Sequence, residues 1–183
     1  MNRLFTYNIN VVIWFGFWTF PKIIRSYPGK IKMLTISLFE PQIPPNTGNI
    51  ARLCGANNVK LDLVGDLGFS MDDKYLKRAG LNYWDHIKWE YFPDIDKYCS
   101  KAFKNSFHLL TTKSKNLYTN RAYLENDYII FGSETAGISE SILNTYPQNA
   151  CTIPMANKNI RSLNLATSVG IVLYEALRQI NGY

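Results

Sequence analysis

The sequence predicts an α/β domain with a mostly parallel sheet flanked by helices. Two observations support this prediction: stretches of β-forming residues alternate with helical stretches, and four of the six predicted strands end in a polar loop. The length of 183 residues suits one domain with a substantial core. A composition of 46% hydrophobic and 19% charged residues indicates a folded globular protein and excludes a disordered one.

The first 32 residues differ from the rest of the chain. Residues 11–20 are apolar and aromatic, and a basic segment with Lys22, Arg25 and Lys30 follows them. A run of about ten residues is too short to span a bilayer, which needs roughly twenty, so we expect no membrane partner. No small-residue cleavage site follows the run, which argues against a signal peptide. A surface anchor, an extension of unknown role and a start codon assigned too early stay open. Residues 33–183 would form the working domain.

The strands are predicted from alternation and from β-forming composition. They cover residues 34–39, 60–64, 87–92, 107–111, 128–131 and 150–153. The helices are predicted from apolar spacing and from capping residues. They cover residues 50–56, 74–79, 94–103, a segment from Ser139 to about Tyr146, and 165–180.

Residues 40–49 are predicted to be loop and turn. Three prolines within residues 40–45 exclude a helix or a central strand, because each removes a donor and fixes φ. Residues 46–49 have the composition of a turn. At the other end of the chain, Ser162 and Asn164 precede the last predicted helix, and only one of them can be its cap.

Four polar loops follow predicted strands, beginning at Glu40, Thr111, Gly132 and Pro154. Ligands of parallel sheets bind beyond the carboxyl ends of the strands, so these loops could converge on one pocket. An ordinary connection between a strand and a helix is the alternative for the loop at Pro154. Gly132 and Gly137 have the spacing of a phosphate loop, but no Lys-Ser or Lys-Thr follows. This argues against a nucleotide-triphosphate loop.

A net charge of +6 permits a polyanionic partner such as RNA. Lys74, Lys77 and Arg78 form either a solvated basic face or a phosphate-contacting patch. Arg52 is predicted near a helix start, where the dipole disfavours a cation, so it is either a surface arginine or a phosphate ligand. Glu134 is either a solvated carboxylate or a base or hydrogen-bond acceptor.

The cysteines and histidines predict neither disulfides nor a metal site. Cys54, Cys99 and Cys151 are odd in number and widely spaced in apolar surroundings, which predicts buried free thiols in a reducing, cytoplasmic environment. His86 and His108 stand apart from any ligand-like cluster, so we expect no metal.

Three motifs resemble those of a known family. They are Pro44-Pro-Asn-Thr-Gly-Asn-Ile-Ala-Arg52, Phe131-Gly-Ser-Glu-Thr-Ala-Gly137, and Ile153-Pro-Met155 with Arg161-Ser-Leu-Asn-Leu-Ala166. Together they resemble the SpoU branch of the SPOUT superfamily of RNA 2′-O-methyltransferases. Residues 39–45 and 68–83 are similar to the tRNA (cytidine(34)-2′-O)-methyltransferase family. The resemblance runs from Met33 to the C-terminus.

This resemblance implies a C-terminal trefoil knot, a homodimer and S-adenosylmethionine as cofactor. It also implies methyl transfer to the 2′-hydroxyl of the tRNA wobble nucleotide, cytidine-34 or a modified uridine-34. Carried over by position, the cofactor-binding residues would be Leu110, Gly132, Ile153 and Ser162, and the catalytic residues Arg52, Ser162 and Asn164. Because a guanidinium stays protonated far above neutral pH and is a poor base, we expect Arg52 to clamp a phosphate and stabilise the developing alkoxide.

The expected RNA contacts are Asn46, Asn49, Glu134, Lys74, Lys77, Arg78 and Arg161. Ala136 stands where relatives often carry an arginine, which would remove one RNA contact. Three alternatives remain: methylation of another tRNA site or of ribosomal RNA, a non-catalytic RNA-binding relative of the same fold, and a small-molecule-binding α/β protein.

Overall fold

The structure is a computed structural model that describes residues 33–71 and 81–182. Side chains are described for residues 33–71 and 84–182. Residues 1–32 and the predicted helix at 74–79 lie outside the described residues, and so do Lys74, Lys77 and Arg78.

In the described part of the chain, six strands form one sheet in which every pairing is parallel. The strands are β1 (Thr35–Phe39), β2 (Lys60–Val64), β3 (Trp89–Phe92), β4 (Phe107–Leu110), β5 (Tyr128–Phe131) and β6 (Ala150–Cys151). Their order across the sheet is β3-β2-β1-β5-β4-β6. The predicted α/β fold with a mostly parallel sheet is confirmed.

Helices cover both faces of the sheet. They are α1 (Pro44–Ala56), α2 (Ile95–Ala102), α3 (Glu140–Thr145) and α4 (Leu165–Asn181), with short 3₁₀ turns at Leu81–His86, Tyr118–Asn120 and Pro147–Asn149. Alternate residues of a strand point to opposite faces, so Ile36 and Leu38 pack in the core under α1 and α4. Phe39 and Val64 pack with α2 and α3 in a second core.

Helix α1 begins earlier than the sequence predicted. Its first residue is Pro44, and residues 46–49 are helical, so the predicted loop and turn are wrong from Pro44 onward. Proline is tolerated there because the first N–H groups of a helix have no acceptor within the helix. The N-cap residue, Ile43, has no side chain that can cap the helix.

Smaller differences affect the bounds of other strands. β3 begins at Trp89 and not at Ile87, because residues 81–86 form a 3₁₀ turn whose Trp84 carbonyl accepts from the Ile87 N–H at 3.3 Å. β4 ends at Leu110 and β6 at Cys151, one and two residues before the predicted ends.

Side-chain caps fix two of the helix starts. Asp94 caps α2, since its carboxylate accepts from the Lys97 N–H at 2.9 Å. Asn164 caps α4 by accepting from the Thr167 N–H at 3.2 Å, which settles the choice between Asn164 and Ser162. Ser139 precedes α3 as predicted, but its hydroxyl pairs with the Ser141 hydroxyl at 3.1 Å and makes no cap bond.

The connection between β4 and β5, residues 111–127, runs beside β6. The Tyr118 N–H donates to the Thr152 carbonyl at 2.9 Å, and the Thr152 N–H donates to the Asn116 carbonyl at 2.8 Å. Further along, the Tyr123 N–H donates to Gln179 Oε1 of α4 at 3.0 Å. β6 therefore lies between β4 and the connection that leaves β4.

Buried side chains tie the end of this connection to β4. Arg121 Nε donates to His108 Nδ1 at 3.1 Å, so the ring proton sits on Nε2, which donates to Asp127 Oδ2 at 2.9 Å. Burial acts to raise the pKa of Asp127, but the hydrogen bonds from His108 and the Leu124 N–H hold it below its usual value.

A second polar group, which we call the inner network, lies under α2 and consists of Ser37, Tyr98, Asp62 and Lys60. Tyr98 donates to Asp62 Oδ2 at 2.9 Å, so the Ser37 hydroxyl is the donor to the Tyr98 oxygen at 2.6 Å. Lys60 Nζ lies 2.9 Å from Asp62 Oδ1. Burial raises the pKa of Asp62 despite these partners.

Candidate functional site

A cavity of about 710 Å³ opens beyond the carboxyl ends of β4, β5 and β6. Its walls come from residues 110–113, 131–138 and 161–165, together with Ile43, Asn46, Thr152, Ile153, Met155 and Ser168. The structure thus brings together the four polar loops that follow β1, β4, β5 and β6. The volume lies within the range of about 300–1,000 Å³ that is usual for sites of small organic ligands.

One chain of hydrogen bonds, which we call the rim network, joins three segments around this cavity. Glu134 Oε2 accepts from the Gln42 N–H at 2.9 Å, and Glu134 Oε1 accepts from Asn46 Nδ2 at 2.9 Å. Asn46 Oδ1 in turn accepts from Asn164 Nδ2 at 2.9 Å. Because Asn164 also caps α4 through Thr167, the network runs from the start of α1 to the start of α4.

Glu134 has a clear structural role in this network. The N-cap Ile43 offers no side-chain acceptor, and the carboxylate of Glu134 accepts the Gln42 N–H just before α1. A negative charge near the N-terminus of a helix is favourable because of the helix dipole. Glu134 is half-buried with both oxygens engaged, so the alternative of a solvated carboxylate is wrong.

The loop after β5 is folded tightly, and its two glycines allow this. A Cβ on Gly132 would lie 2.0 Å from the Gly137 carbonyl carbon and 2.1 Å from the Ile138 nitrogen. Gly137 has a φ of +71°, and its N–H donates to the Ser133 carbonyl at 2.9 Å. The glycines at these positions therefore serve a backbone turn, and Gly132 also lines the cavity.

The four residues expected to contact the cofactor all line the cavity. Leu110 and Gly132 are buried, Ile153 is half-buried and Ser162 is exposed. Asn164 lines the cavity as well, beside Ser162. These residues combine apolar walls, a close backbone approach and polar groups, which is the usual composition of a pocket for a small polar molecule.

Arg52 is not brought to the cavity within this chain. It is exposed in the third turn of α1 and lies outside the cavity lining. Six residues separate it from Asn46, which is roughly 9 Å along the helix axis. The expectation that Arg52 sits at the start of the helix, against the dipole, is therefore wrong. Among the described residues expected to contact RNA, Asn46, Glu134 and Arg161 line the cavity, and Asn49 is exposed on α1.

Sequence reasoning missed Lys113 as a cavity residue. It lines the wall formed after β4, and its Nζ lies 2.7 Å from Glu140 Oε1. The only signal in the sequence is its place in a polar run directly after a strand. Ile43 was missed because the loop beginning at Glu40 was expected to bring polar groups to the pocket, and the side chain of Ile43 is apolar.

The described residues include no helix long and apolar enough to cross a membrane. No group of three or more His, Cys, Asp or Glu side chains among them could hold a metal ion. The thiols of Cys54 and Cys151 are buried as predicted, whereas Cys99 is only half-buried, so that prediction is wrong for Cys99. Burial raises the pKa of both Cys99 and Cys151 to about 11.

Known proteins resemble this chain over most of its length. The profile of the SpoU rRNA Methylase family matches residues 33–174. A Listeria innocua protein named putative tRNA (cytidine(34)-2′-O)-methyltransferase is 42% identical over 147 residues, which cover 79% of this chain and 86% of the relative. The tRNA (cytidine(34)-2′-O)-methyltransferase of Yersinia pestis is 45% identical over 158 residues, covering 82% and 96% of the two chains.

Solved structures show the same likeness. One, described as giving structural insights into the 2-OH methylation of C/U34 on tRNA, superposes with a TM-score of 0.78 at 34% identity, covering 84% of this chain and all of the other. A putative RNA methyltransferase from Bacillus anthracis superposes with a TM-score of 0.75 at 41% identity, covering 81% and 94%. The predicted family is thus confirmed, and the chain belongs to the SpoU rRNA methylase family.

Proposed function

We propose that this protein is an S-adenosylmethionine-dependent tRNA methyltransferase acting on the ribose 2′-hydroxyl of the wobble nucleotide, cytidine-34 or a modified uridine-34. One observation carries the proposal: the rim network joins all three family motifs around one cavity. Relatives named for this activity, at 42% and 45% identity, support the choice of tRNA and of the wobble position.

The cavity fits S-adenosylmethionine. Apolar walls at Leu110 and Ile153 suit the adenine ring, and the bare backbone at Gly132 permits close approach. Ser162 would bind the polar remainder of the cofactor. When bound, the cofactor supplies a methyl group already activated for transfer, which leaves alignment and charge stabilisation to the protein.

The residues of this chain would position the ribose hydroxyl. Asn164 is fixed by its bonds to Asn46 and Thr167, so it can hold a substrate group with little loss of side-chain entropy. Ser162 lies beside it at the cavity wall. Arg52 would clamp an RNA phosphate bidentately and stabilise negative charge on the ribose oxygen as its proton leaves.

The position of Arg52 favours a site completed by a second copy of the chain. Arg52 lies on the exposed side of α1, and α4, which packs against α1, exposes 51% of Tyr174. Two chains that pair through α1 and α4 would bring Arg52 of one towards the cavity of the other. Sedimentation equilibrium should then show a dimer, and a wild-type monomer would contradict this part of the proposal.

The path of the connection between β4 and β5 favours the implied trefoil knot. β6 lies between β4 and residues 116–118, and the chain after β6 leads to α4, which contacts Tyr123 of the same connection. This arrangement suits a chain that passes through the loop formed by residues 111–127. The knot would be refuted by a crystal structure whose chain could be pulled straight by its two termini without any segment passing through a loop.

We place the activity in residues 33–183 and in the cytoplasm. The family profile begins at residue 33, and free thiols such as Cys54 and Cys151 suit a reducing compartment. A chain beginning at Met33 should methylate tRNA as fast as the full chain. A loss of activity on removal of residues 1–32 would contradict this division.

The deciding experiment is incubation of the purified protein with labelled S-adenosylmethionine and bulk tRNA, followed by mapping of the methylated nucleotide by mass spectrometry. Label at the 2′-oxygen of nucleotide 34 is the expected result. Failure to label both tRNA and, in a parallel incubation, ribosomal RNA would refute the assignment as an enzyme. Label outside the anticodon would refute the wobble assignment alone.

The Arg52→Lys substitution tests the phosphate clamp. Lysine keeps the charge but cannot form two parallel hydrogen bonds, so both turnover and tRNA affinity should fall, by about tenfold for a loss of 1.4 kcal/mol. Near-full turnover with unchanged tRNA affinity would mean that Arg52 does not act as a bidentate clamp.

A further inference from the structure

An ion pair connects one wall of the cavity to helix α3. Lys113 belongs to the wall formed after β4, and its Nζ lies 2.7 Å from Oε1 of Glu140, the first residue of α3. Glu140 itself lies outside the cavity lining. Both side chains are largely exposed, at 58% for Lys113 and 75% for Glu140. The pair therefore lies at the mouth of the cavity and not in its interior.

The two cations that line the cavity differ in their partners. The lining contains Lys113 and Arg161. Arg161 is exposed and has no ion-pair partner within the part of the chain that the structure describes, whereas Lys113 is held by Glu140. Ala136, in the loop between the two walls, adds no charge. Of the two cations in the described cavity wall, Lys113 is thus the one that is already paired with a carboxylate.

We propose that Glu140 competes with the RNA backbone for Lys113: it holds Lys113 before tRNA arrives and yields it to a backbone phosphate when tRNA docks. The proposal rests on the proposed function and concerns the affinity of that same site. A lysine ammonium binds phosphate as a compact point charge. Because exposed ion pairs are weak, exchanging the carboxylate for a phosphate costs little.

The exchange has a consequence for affinity. The ion pair with Glu140 must break before Lys113 can bind the phosphate, which offsets part of the free energy that Lys113 gains from the RNA. Glu140 therefore weakens tRNA binding and favours release of the methylated tRNA.

The location of the pair favours RNA over the cofactor as the incoming anion. The cofactor also carries a carboxylate, but it would occupy the enclosed part of the cavity beside Leu110 and Gly132, both buried. Lys113 and Glu140 lie at the exposed mouth, where a polyanion must approach. Glu140 begins helix α3 and lies outside the cavity lining.

The test compares tRNA affinity and its salt dependence in the full-length protein and its variants. The variants are Glu140→Gln, Lys113→Gln and the double variant. Glu90→Gln is the matched control, because Glu90 is also exposed and pairs with a lysine, Lys60, at 2.8 Å on edge strand β3. All side chains changed are exposed, so folding should be retained.

Glu140→Gln should tighten tRNA binding by about two- to five-fold, the range that corresponds to one exposed ion pair. Lys113→Gln should weaken binding and reduce the slope of log K against log salt by about one. When Lys113→Gln is already present, Glu140→Gln should tighten tRNA binding much less, because no lysine remains for Glu140 to hold away from the phosphate. Glu90→Gln should change affinity less than Glu140→Gln does.

Other outcomes overturn the inference. An equal gain from Glu90→Gln, or a full gain in the double variant, would indicate a general charge effect. An unchanged salt slope in Lys113→Gln, with weakened binding of S-adenosylmethionine alone by calorimetry, would assign Lys113 to the cofactor. Both results leave the proposed function standing, whereas failure of the wild type to bind or methylate tRNA refutes that function and this inference together.

Discussion

Two polar networks in this domain are built from similar chemistry and differ in their surroundings. In the rim network, Glu134 accepts from a backbone N–H and from the Asn46 amide beside a cavity. In the inner network, Asp62 accepts from the Tyr98 hydroxyl and pairs with Lys60. Glu134 is half-buried, whereas Asp62 is only 1% exposed.

The difference follows from position along the strands. Asp62 is the third residue of β2, so helix α2 covers its side chain. Glu134 lies three residues beyond the end of β5, beside the cavity at which several loops meet. A carboxylate with two partners therefore marks a binding site only where the fold leaves space beside it.

The largest effect is expected at Gly132, on which the wall of the cavity depends. In Gly132→Ala the new Cβ would meet backbone atoms of residues 137 and 138 at 2.0 and 2.1 Å, so the loop must move. Methyl transfer should fall by at least about 100-fold, since displacements of 1 Å have that effect. The assay is turnover with saturating tRNA.

Gly170→Ala is the matched control for stability. Its Cβ would meet Leu53 Cδ2 at 3.9 Å, an ordinary contact within α4. Chemical unfolding should show a gain of about 0.5–1 kcal/mol for Gly170→Ala and a loss for Gly132→Ala. Near-normal turnover in Gly132→Ala would show that the tight loop is dispensable.

Breaking the rim network should impair both activity and stability. Asn46→Ala leaves Glu134 Oε1 and Asn164 Nδ2 without their partner. Turnover should fall by about tenfold to 100-fold because Asn164 is misplaced. The unfolding free energy should fall by about 1–3 kcal/mol because polar groups lose their hydrogen-bond partner. Asn57→Ala, which removes a hydrogen bond to the Leu53 carbonyl at the far end of α1, should leave turnover unchanged. Equal loss of turnover in both variants would contradict the role of the rim network.

Breaking the inner network should impair stability alone. Tyr98→Phe removes the hydroxyl between Ser37 and Asp62 and leaves a buried carboxylate oxygen without its donor. The unfolding free energy should fall by about 1–3 kcal/mol, with turnover per folded molecule unchanged. A specific loss of turnover would show that the two networks are coupled.

Two buried carboxylates should respond to pH in opposite directions. The lowered pKa of Asp127 means that it stabilises the fold above its unfolded pKa, about 3.9, and that this contribution is lost as the pH falls. The raised pKa of Asp62 means that its contribution is present at low pH and is lost as the pH rises through the folded pKa.

Urea unfolding near pH 3 and near pH 7 measures this difference. Asp127→Asn should cost more stability at about pH 7 than at about pH 3, and Asp62→Asn should cost less at about pH 7 than at about pH 3. The effect is the smallest of the set because other groups also titrate over this range. Costs that change in the same direction for both variants would contradict the opposite shifts.

The sequence by itself determined the class of the fold and the family. Strands at β2 and β5 were predicted with their exact bounds, because β-forming runs between polar turns leave few alternatives. The long helix α4 was predicted from apolar positions three and four apart. The three motifs identified the family because they combine specific residues at the ends of successive strands.

Only the tertiary structure decided how the site is held together. The start of α1 at Pro44 was missed because the rule against proline applies to helix interiors and not to the first turn. Glu134 bonds to residues 92 and 88 positions away, and Asn164 to one 118 positions away. Local patterns in a sequence report on neighbours a few residues apart, so partners at such separations are set by the packing of the sheet and its helices.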